Sequence, residues 1–405
     1  MLKKTPFYDF FNRRDDCDFD TFMSKSVEDE HYINWNDYVL PMHYGDAREE
    51  YDAIRNSCAI FDGTPFRKIR IVGSGAGQFL DHLVTRPVSG LASMRATYVV
   101  FCNDDGSLKD DSVLFKFADD DYLIMPSDVD HIPYFEELQQ RLGIDRVSFE
   151  DHTFSMTGLA IQGPQSAAAM IEMGFAGVEQ LGPFEVRGYQ IDGATWYVSR
   201  TGFTADLGYE CWLATDLADE MIRRVETARS ALGIAIPGYG LDTVQACRLE
   251  GGLIVAGWDC ATEVDPQPGF ERSPFELGLG WLVNLEATPF VGRDALAEQK
   301  RKGIPNTLRS FEVDAKDVPE DGASLFDSTE ADAVQVGIAT CSNWSWGQNA
   351  VIGNASMKSE HANRESAWVE INGGLHEVKL SRGPLINLDR RNQVPASVEL
   401  DPGSL

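Results

Sequence analysis

The stretch VQVGIATCSNWSWGQNAVIGNAS, residues 334–356, decides the architecture of the C-terminal part of the chain. It contains two β-rich runs separated by a turn of Asn, Trp, Ser and Gly residues. Similar runs lie on both sides, and no helical pattern interrupts them. Six short strands are therefore predicted, at 308–313, 323–326, 334–342, 350–356, 367–371 and 375–380. Closely spaced short strands of this kind are typical of a small antiparallel barrel or sandwich.

The chain before residue 300 alternates helical and strand-like patterns instead. Helices are predicted at 46–60, 75–83, 134–142, 166–173 and 218–232. Strands are predicted at 67–72, 96–102, 112–117, 121–126, 156–162, 184–191, 194–201 and 209–214. This order indicates two α+β units of similar size rather than a doubly wound parallel sheet. We expect one domain over residues 1–300, containing both units, and a second over residues 301–395.

Composition and charge exclude several classes of protein. Hydrophobic residues make up 43% of the 405 residues and charged residues 24%, which is typical of a globular protein. The 35 basic and 64 acidic residues give a net charge of −29, so nucleic acid and anionic membranes are poor partners. No apolar run is long enough to span a membrane. The seven cysteines are scattered, which favours a cytoplasmic location.

The sequence lacks the usual signatures of nucleophilic and metal-dependent catalysis. It contains no G-x-S-x-G elbow, and its seven histidines include no H-x-x-x-H pair. We therefore expect no metal and favour catalysis by positioning and electrostatics.

Two acidic hairpins carry the candidate residues. The segment NDDGSLKDDSVL, residues 103–114, has a turn at Asp105-Gly106, after which Asp110 and Asp111 open the next strand. Neighbouring strand residues face opposite sides, so one carboxylate can point into a cleft. The second hairpin, residues 199–210, brings Glu210 back beside the strand it left. In isolation, each hairpin is also typical of a purely structural turn.

Taken together, eight motifs in order resemble those of the glycine-cleavage T-protein (aminomethyltransferase) family. They lie at 41–45, 59–62, 103–111, 161–164, 200–210, 248–251, 279–283 and 290–296. The resemblance covers roughly residues 35–390. It implies a cloverleaf fold in which two ferredoxin-like α+β lobes form a folate channel that a C-terminal antiparallel β-barrel closes. Tetrahydrofolate is the implied cofactor and one-carbon acceptor.

The resemblance also implies roles for particular residues. Asp111 is the implied catalytic aspartate, with Asp110 as the neighbouring alternative, and Glu210 is implied to hold the pterin ring. A carboxylate suits that ring because it can accept hydrogen bonds from two adjacent N–H groups. The resemblance also places Tyr98 along the channel and Arg390 near the folate tail. Phe203 is a further candidate beside the folate, and Phe66 and Tyr44 are candidates beside the substrate.

Two differences from the glycine-cleavage members concern the pocket, one near the substrate and one on the folate side. Those members carry F-D-[VL]-[ST]-H-M where residues 61–66 end in Phe66, and an arginine where this chain has Val244. The differences favour a demethylase that moves a methyl group from an N-, S- or O-methylated small molecule to tetrahydrofolate. Aromatic residues suit such a pocket because their faces attract methylated onium groups.

Two alternatives stay open. The first is a true glycine-cleavage aminomethyltransferase, which would have a lipoylated carrier protein as partner. The second is a non-catalytic, folate-binding maturation factor of the kind found among iron–sulfur assembly relatives. Those relatives carry a K-G-C-Y-x-G-Q motif where residues 271–278 read ERSPFELG, without a cysteine.

Overall fold

The computed structural model describes residues 2–11, 32–263 and 265–397. The strands before the barrel are β1 (Tyr32–Trp35), β2 (Tyr38–Pro41), β3 (Ala59–Asp62), β4 (Ile69–Val72), β5 (Arg95–Cys102), β6 (Leu108–Ala118), β7 (Asp121–Met125), β8 (Ser148–Asp151), β9 (Met156–Gln162), β10 (Val186–Ile191), β11 (Ala194–Ser199) and β12 (Gly208–Ala214). The helices are α1 (Tyr8–Phe11), α2 (Ala47–Asn56), α3 (Ala76–Leu83), α4 (Ile132–Leu142), α5 (Ser166–Glu172), α6 (Ala218–Leu232), α7 (Leu241–Glu250) and α8 (Arg293–Lys302).

Two five-stranded sheets form the α+β part. The first has the order β5-β6-β7-β4-β8 and the second the order β10-β11-β12-β9-β3. All neighbouring strands in both sheets are antiparallel. The β10–β11 turn shows the local logic, since Asp192 and Gly193 both have the positive φ, 50° and 80°, that a tight hairpin turn requires.

Each sheet has one face covered by helices and one face turned toward the other sheet. Helices α3 and α4 pack on the first sheet, and α5 and α6 pack on the second. The uncovered faces share a smaller apolar cluster that includes Phe115 of β6 and Trp212 of β12. The rings of Phe117 and Tyr197 meet across the same interface, with centroids 4.2 Å apart. This interface positions the candidate site.

A closed six-stranded barrel forms the C-terminal part, in the order β13-β16-β15-β14-β17-β18. Its strands are β13 (Asn306–Val313), β14 (Ser324–Phe326), β15 (Gln335–Ser345), β16 (Ala350–Lys358), β17 (Ser366–Ile371) and β18 (Gly374–Ser381). Pairing of β13 with β18 closes the barrel, and alternate residues such as Phe311 and Val313 fill it. The prediction of an α+β fold with a terminal antiparallel barrel is confirmed.

A buried ion pair connects the barrel to the rest of the chain. Arg248 of α7 donates to Asp259, and both side chains are fully buried. The other carboxylate oxygen of Asp259 accepts from Thr340 at 3.0 Å and Asn354 at 2.9 Å, on barrel strands β15 and β16. The carboxylate is therefore satisfied only when the barrel is in place.

The structure differs from the sequence-based prediction in several elements. Strand β3 lies at the edge of the second sheet, so the N-terminal region completes the second unit. Helix α7 is not among the predicted helices. Eight of its ten residues are buried, so it has no polar face that periodicity could reveal. Strand β6 starts at Leu108, before the predicted 112, so the paired aspartates lie inside it. The division into residues 1–300 and 301–395 stays a prediction; residue 300 lies within α8.

Across the described ranges, every helix is too short or too polar to cross a bilayer.

Candidate functional site

Asp111 lies on the face of β6 that turns away from the helices. Its Oδ2 accepts a hydrogen bond from the Tyr98 hydroxyl at 2.9 Å, and its Oδ1 accepts one from the backbone N–H of Ala256 at 3.1 Å. Tyr98 stands on the neighbouring strand β5, and Ala256 belongs to the loop after α7. Three separate segments therefore hold this half-buried carboxyl group in one orientation.

The surroundings of Asp111 raise its pKa to about 7. Burial is the largest cause, and the negative charge of Asp110 adds to it; the hydrogen bonds from Tyr98 and Ala256 act in the opposite direction. Near neutral pH the group is therefore present in both its acidic and its basic form, which suits a residue that exchanges protons.

Asp110 faces the opposite side of β6 and is only 1% exposed. Its Oδ2 lies 2.7 Å from Nε2 of His131 and accepts from the Ser127 hydroxyl at 2.6 Å. Both partners belong to the segment that leads into α4. The structure thus separates the two neighbouring aspartates: Asp111 faces the interior between the sheets, whereas Asp110 is enclosed by the helix-covered core.

Glu210 lies on β12, on the face of the second sheet that carries no helices. Its Oε2 accepts a hydrogen bond from the Thr201 hydroxyl at 2.7 Å, while its Oε1 has no partner within the described part of the chain. Burial raises the pKa of Glu210 to about 7, and the Thr201 bond offsets this only partly. The group is a half-buried acceptor with one unused oxygen.

Strand geometry places Asp111 and Glu210 on facing surfaces. Residues two apart on a strand share a face, so Asp111 lies on the face of Val113, and Glu210 on the face of Trp212. Val113 and Trp212 pack in the same apolar cluster between the two sheets. The two carboxyl groups therefore lie on the two sheet faces that pack against each other.

Aromatic rings pack in this region around Phe66. Its ring centroid lies 4.9 Å from that of Trp35, 6.2 Å from Trp212 and 6.3 Å from Phe61. Val244 of α7 is buried in the adjoining apolar cluster that contains Phe61. The structure thus brings Phe66 near the face of the sheet that carries Glu210.

The other residues named from the sequence lie elsewhere or make other contacts. Tyr44 is buried in the helix-covered core of the second sheet, against Phe11, and not beside Phe66. Arg390 makes two hydrogen bonds to the buried carboxylate of Asp206, at 2.6 and 2.9 Å. Phe203 is half-buried in the loop between β11 and β12.

Two neighbours of the site were missed from the sequence. Trp212 follows Glu210 by two positions, so the alternation of a strand could have indicated it. His131 carries no such signal, because its contact with Asp110 joins residues 21 apart through the packing of α4. The described residues also contain no group of three or more His, Cys, Asp or Glu side chains arranged to hold a metal ion.

Comparisons with known proteins agree with this architecture. The family model described as the GCVT N-terminal domain matches residues 28–287, more than half of the chain. The chain belongs to this family, the glycine-cleavage T-protein family.

Curated relatives and a solved structure extend the similarity over most of the length. A protein of Chloroherpeton thalassium named aminomethyltransferase is 26% identical over 88% of this chain and 95% of its own length. Another, from Halothermothrix orenii, is 29% identical over 77% of this chain and 84% of its own. The crystal structure of the glycine cleavage system aminomethyltransferase T from Bartonella henselae superposes with a TM-score of 0.77 at 19% identity. It covers 96% of this chain and 99% of the other, which confirms the fold.

Proposed function

We propose that this protein transfers a one-carbon unit to tetrahydrofolate. The observation that carries the proposal is the placement of Asp111 and Glu210 on the facing, helix-free faces of the two sheets, each with a pKa raised to about 7. The names of the curated relatives support it, since aminomethyltransferases act on one-carbon units.

Glu210 has the chemistry needed to hold a reduced pterin. Among the described residues, Oε1 accepts no hydrogen bond and Oε2 accepts one, so the carboxylate can take two adjacent N–H groups of a flat heterocycle. Trp212 on the same face is only 3% exposed and belongs to the apolar cluster between the sheets. When bound, tetrahydrofolate supplies the nitrogen nucleophile that accepts the one-carbon unit.

Asp111 has the chemistry needed to exchange a proton with that nitrogen. A carboxyl group whose pKa is about 7 changes its protonation state readily at neutral pH. In its ionised form it also stabilises positive charge that develops close to it, and this effect is strong in a site shielded from water. The hydrogen bonds from Tyr98 and Ala256 hold the carboxyl group of Asp111 in one orientation for both roles.

Two donors of the one-carbon unit follow from different observations. The names of the relatives favour an aminomethyl group, which in the glycine-cleavage system is presented by a lipoylated carrier protein. The packing of Phe66 against Trp35 and Trp212, and the apolar Val244, favour a methyl group on a small N-, S- or O-methylated molecule.

The test is an assay of the purified protein with tetrahydrofolate and each class of donor. Formation of 5-methyltetrahydrofolate from betaines, sulfonium acids or methoxy-aromatics supports the demethylase, and 5,10-methylenetetrahydrofolate from an aminomethylated lipoyl carrier supports the aminomethyltransferase. Absence of saturable tetrahydrofolate binding by calorimetry contradicts both.

Substitution of Asp111 tests its role. We expect Asp111→Asn to lower turnover by about 100-fold or more while tetrahydrofolate still binds. Asp104→Asn, the same change at an exposed position of the same hairpin, is the control and should retain full turnover. Normal turnover of Asp111→Asn would remove this residue from the mechanism.

A further inference from the structure

Directly behind Asp111 lies a buried pair that the transfer chemistry above does not use. Asp110 and His131 are each 1% exposed, and they are joined by a contact of 2.7 Å between Oδ2 and Nε2. Burying an ionised carboxylate is energetically unfavourable unless protein groups donate hydrogen bonds to it. The position of this one, next to the proposed catalytic residue, calls for an explanation.

Asp110 receives more donors than a single partner would supply. Besides His131, its Oδ2 accepts from the hydroxyl and the backbone N–H of Ser127, at 2.6 and 3.2 Å, and its Oδ1 accepts from the backbone N–H of Asp111 at 2.8 Å. These bonds supply both oxygens of the carboxylate with hydrogen-bond donors. The last of these bonds ties the carboxylate of Asp110 directly to the backbone of Asp111.

The imidazole of His131 is placed to donate one hydrogen and no more. Its ring packs against Phe101 and Phe135, with centroids 5.0 and 5.9 Å away, and its Nδ1 is buried without a hydrogen-bond partner in the described ranges. A second N–H at Nδ1 would have no acceptor, so the arrangement favours the neutral ring with hydrogen on Nε2. A neutral ring orients Asp110 without cancelling its charge.

We propose that the Asp110–His131 pair is a positioning element for Asp111, which holds a negative charge behind its carboxyl group and fixes the backbone that carries it. The inference rests on the proposed function, because it assigns the pair a role in the reaction of Asp111. His131 acts through Asp110 and touches neither donor nor acceptor.

Other ionisable groups face the same two carboxylates. Around Asp111 these are Tyr98 on β5 and Asp259 and Cys260 after α7, and around Asp110 they are His131 and Asp128. Asp259 is already paired with Arg248. Of the neighbouring negative charges, that of Asp110 raises the pKa of Asp111 most.

The decisive experiment compares pH profiles of kcat/KM. Asp110→Asn removes the charge but keeps an oxygen for His131, so the acidic limb of the profile should move to lower pH by about one unit. Asp130→Asn, an exposed neighbour in the same segment, is the control and should leave the profile in place. A wild-type protein without any turnover contradicts the proposed function, whereas an active wild type with identical Asp110→Asn and wild-type profiles contradicts only the present inference.

Substitutions of His131 separate positioning from stability. His131→Phe removes the donor within an aromatic environment and should lower kcat about 10-fold or more while the KM for tetrahydrofolate changes less than twofold. His131→Gln retains an N–H group and should recover most of the loss. Equal losses in the two variants, or a loss confined to KM, would contradict the assignment.

A measurement on the unaltered protein keeps the inference testable if these variants do not fold. In protein labelled with 13C at the aspartate carboxyl groups, the Asp111 signal is identified by its absence from Asp111→Asn. It should titrate near pH 7. The 15N signals of His131 should show the neutral ring with hydrogen on Nε2. Titration of Asp111 near its ordinary value of about 4, or a charged His131 at neutral pH, would overturn the proposal.

Discussion

Tyr98 donates its hydroxyl hydrogen to Oδ2 of Asp111 across 2.9 Å, from the diagonal position on the neighbouring strand. The bond favours the ionised form of Asp111, whereas burial and Asp110 favour the protonated form. The balance between these opposing influences leaves the pKa of Asp111 at about 7 rather than higher.

Removal of this hydroxyl should shift the protonation of Asp111. In Tyr98→Phe the ionised form loses a donor, so the pKa of Asp111 rises and the acidic limb of kcat/KM moves to higher pH, by about 0.5–1 unit. The direction is opposite to that expected for Asp110→Asn. The measurement is the pH profile of kcat/KM with either one-carbon donor. A shift to lower pH would contradict the assignment of the Tyr98–Asp111 hydrogen bond.

Folate binding should depend on the protonation of Glu210. Its pKa is raised to about 7 before binding, and N–H donors of a ligand prefer the carboxylate. Protonation of Glu210 therefore weakens folate binding at low pH, and the affinity should rise as the pH increases through 7. Below pH 7, folate binding should release a proton from Glu210. Calorimetry in buffers of different ionisation enthalpy measures this release.

The matching substitution is Glu210→Gln, which should raise the Kd for tetrahydrofolate about 10- to 100-fold and remove most of the pH dependence. Glu226→Gln, on an exposed position of α6, serves as the control. Retention of the pH dependence in Glu210→Gln would show that another group titrates.

Gly158 on β9 has no side chain, and the ring of Trp212 fills the room where one would stand. A Cβ at position 158 would lie 2.2 Å from the Trp212 ring, so Gly158→Ala must displace the ring. We expect a loss of about 1–3 kcal/mol in the free energy of unfolding, together with weaker folate binding. Gly90→Ala, where a Cβ meets nothing within 4 Å, should change neither quantity by much. Chemical denaturation and calorimetry provide the two measurements.

Arg390 should contribute mainly to stability. Its two hydrogen bonds to the fully buried Asp206 predict that Arg390→Ala costs about 1–3 kcal/mol, because part of the compensation of a buried carboxylate is lost. Arg301→Ala, which breaks an exposed ion pair with Glu298, is the control and should leave the free energy of unfolding almost unchanged. A loss of folate affinity in Arg390→Ala with unchanged stability would instead favour contact with the folate tail.

Local patterns predicted much of this molecule from its sequence. The helix α6 and the strand β9 were predicted with the bounds observed, because periodicity and turn residues define them within a few positions. The separation of Asp110 from Asp111 onto opposite faces also follows from strand alternation, although the sequence does not say which aspartate faces inward.

The contacts that depend on packing between distant segments could not be predicted from the sequence. The face on which Tyr44 lies depends on how the N-terminal region joins the second sheet. The contact of Arg390 with Asp206 spans 184 positions, and that of His131 with Asp110 depends on where α4 begins. Helices that are buried over most of their surface, such as α7, lack a polar face, so periodicity does not reveal them.

The barrel also supplies hydrogen bonds to the buried carboxylate of Asp259, in addition to covering the α+β units. Cutting the chain before β13 would leave Asp259 without Thr340 and Asn354 and would uncover the side of the α+β units on which the barrel packs. The fragment would then carry an ion pair with half of its supporting contacts missing. The barrel and the two sheets are accordingly expected to unfold together in one cooperative transition, rather than as separable modules joined by a linker.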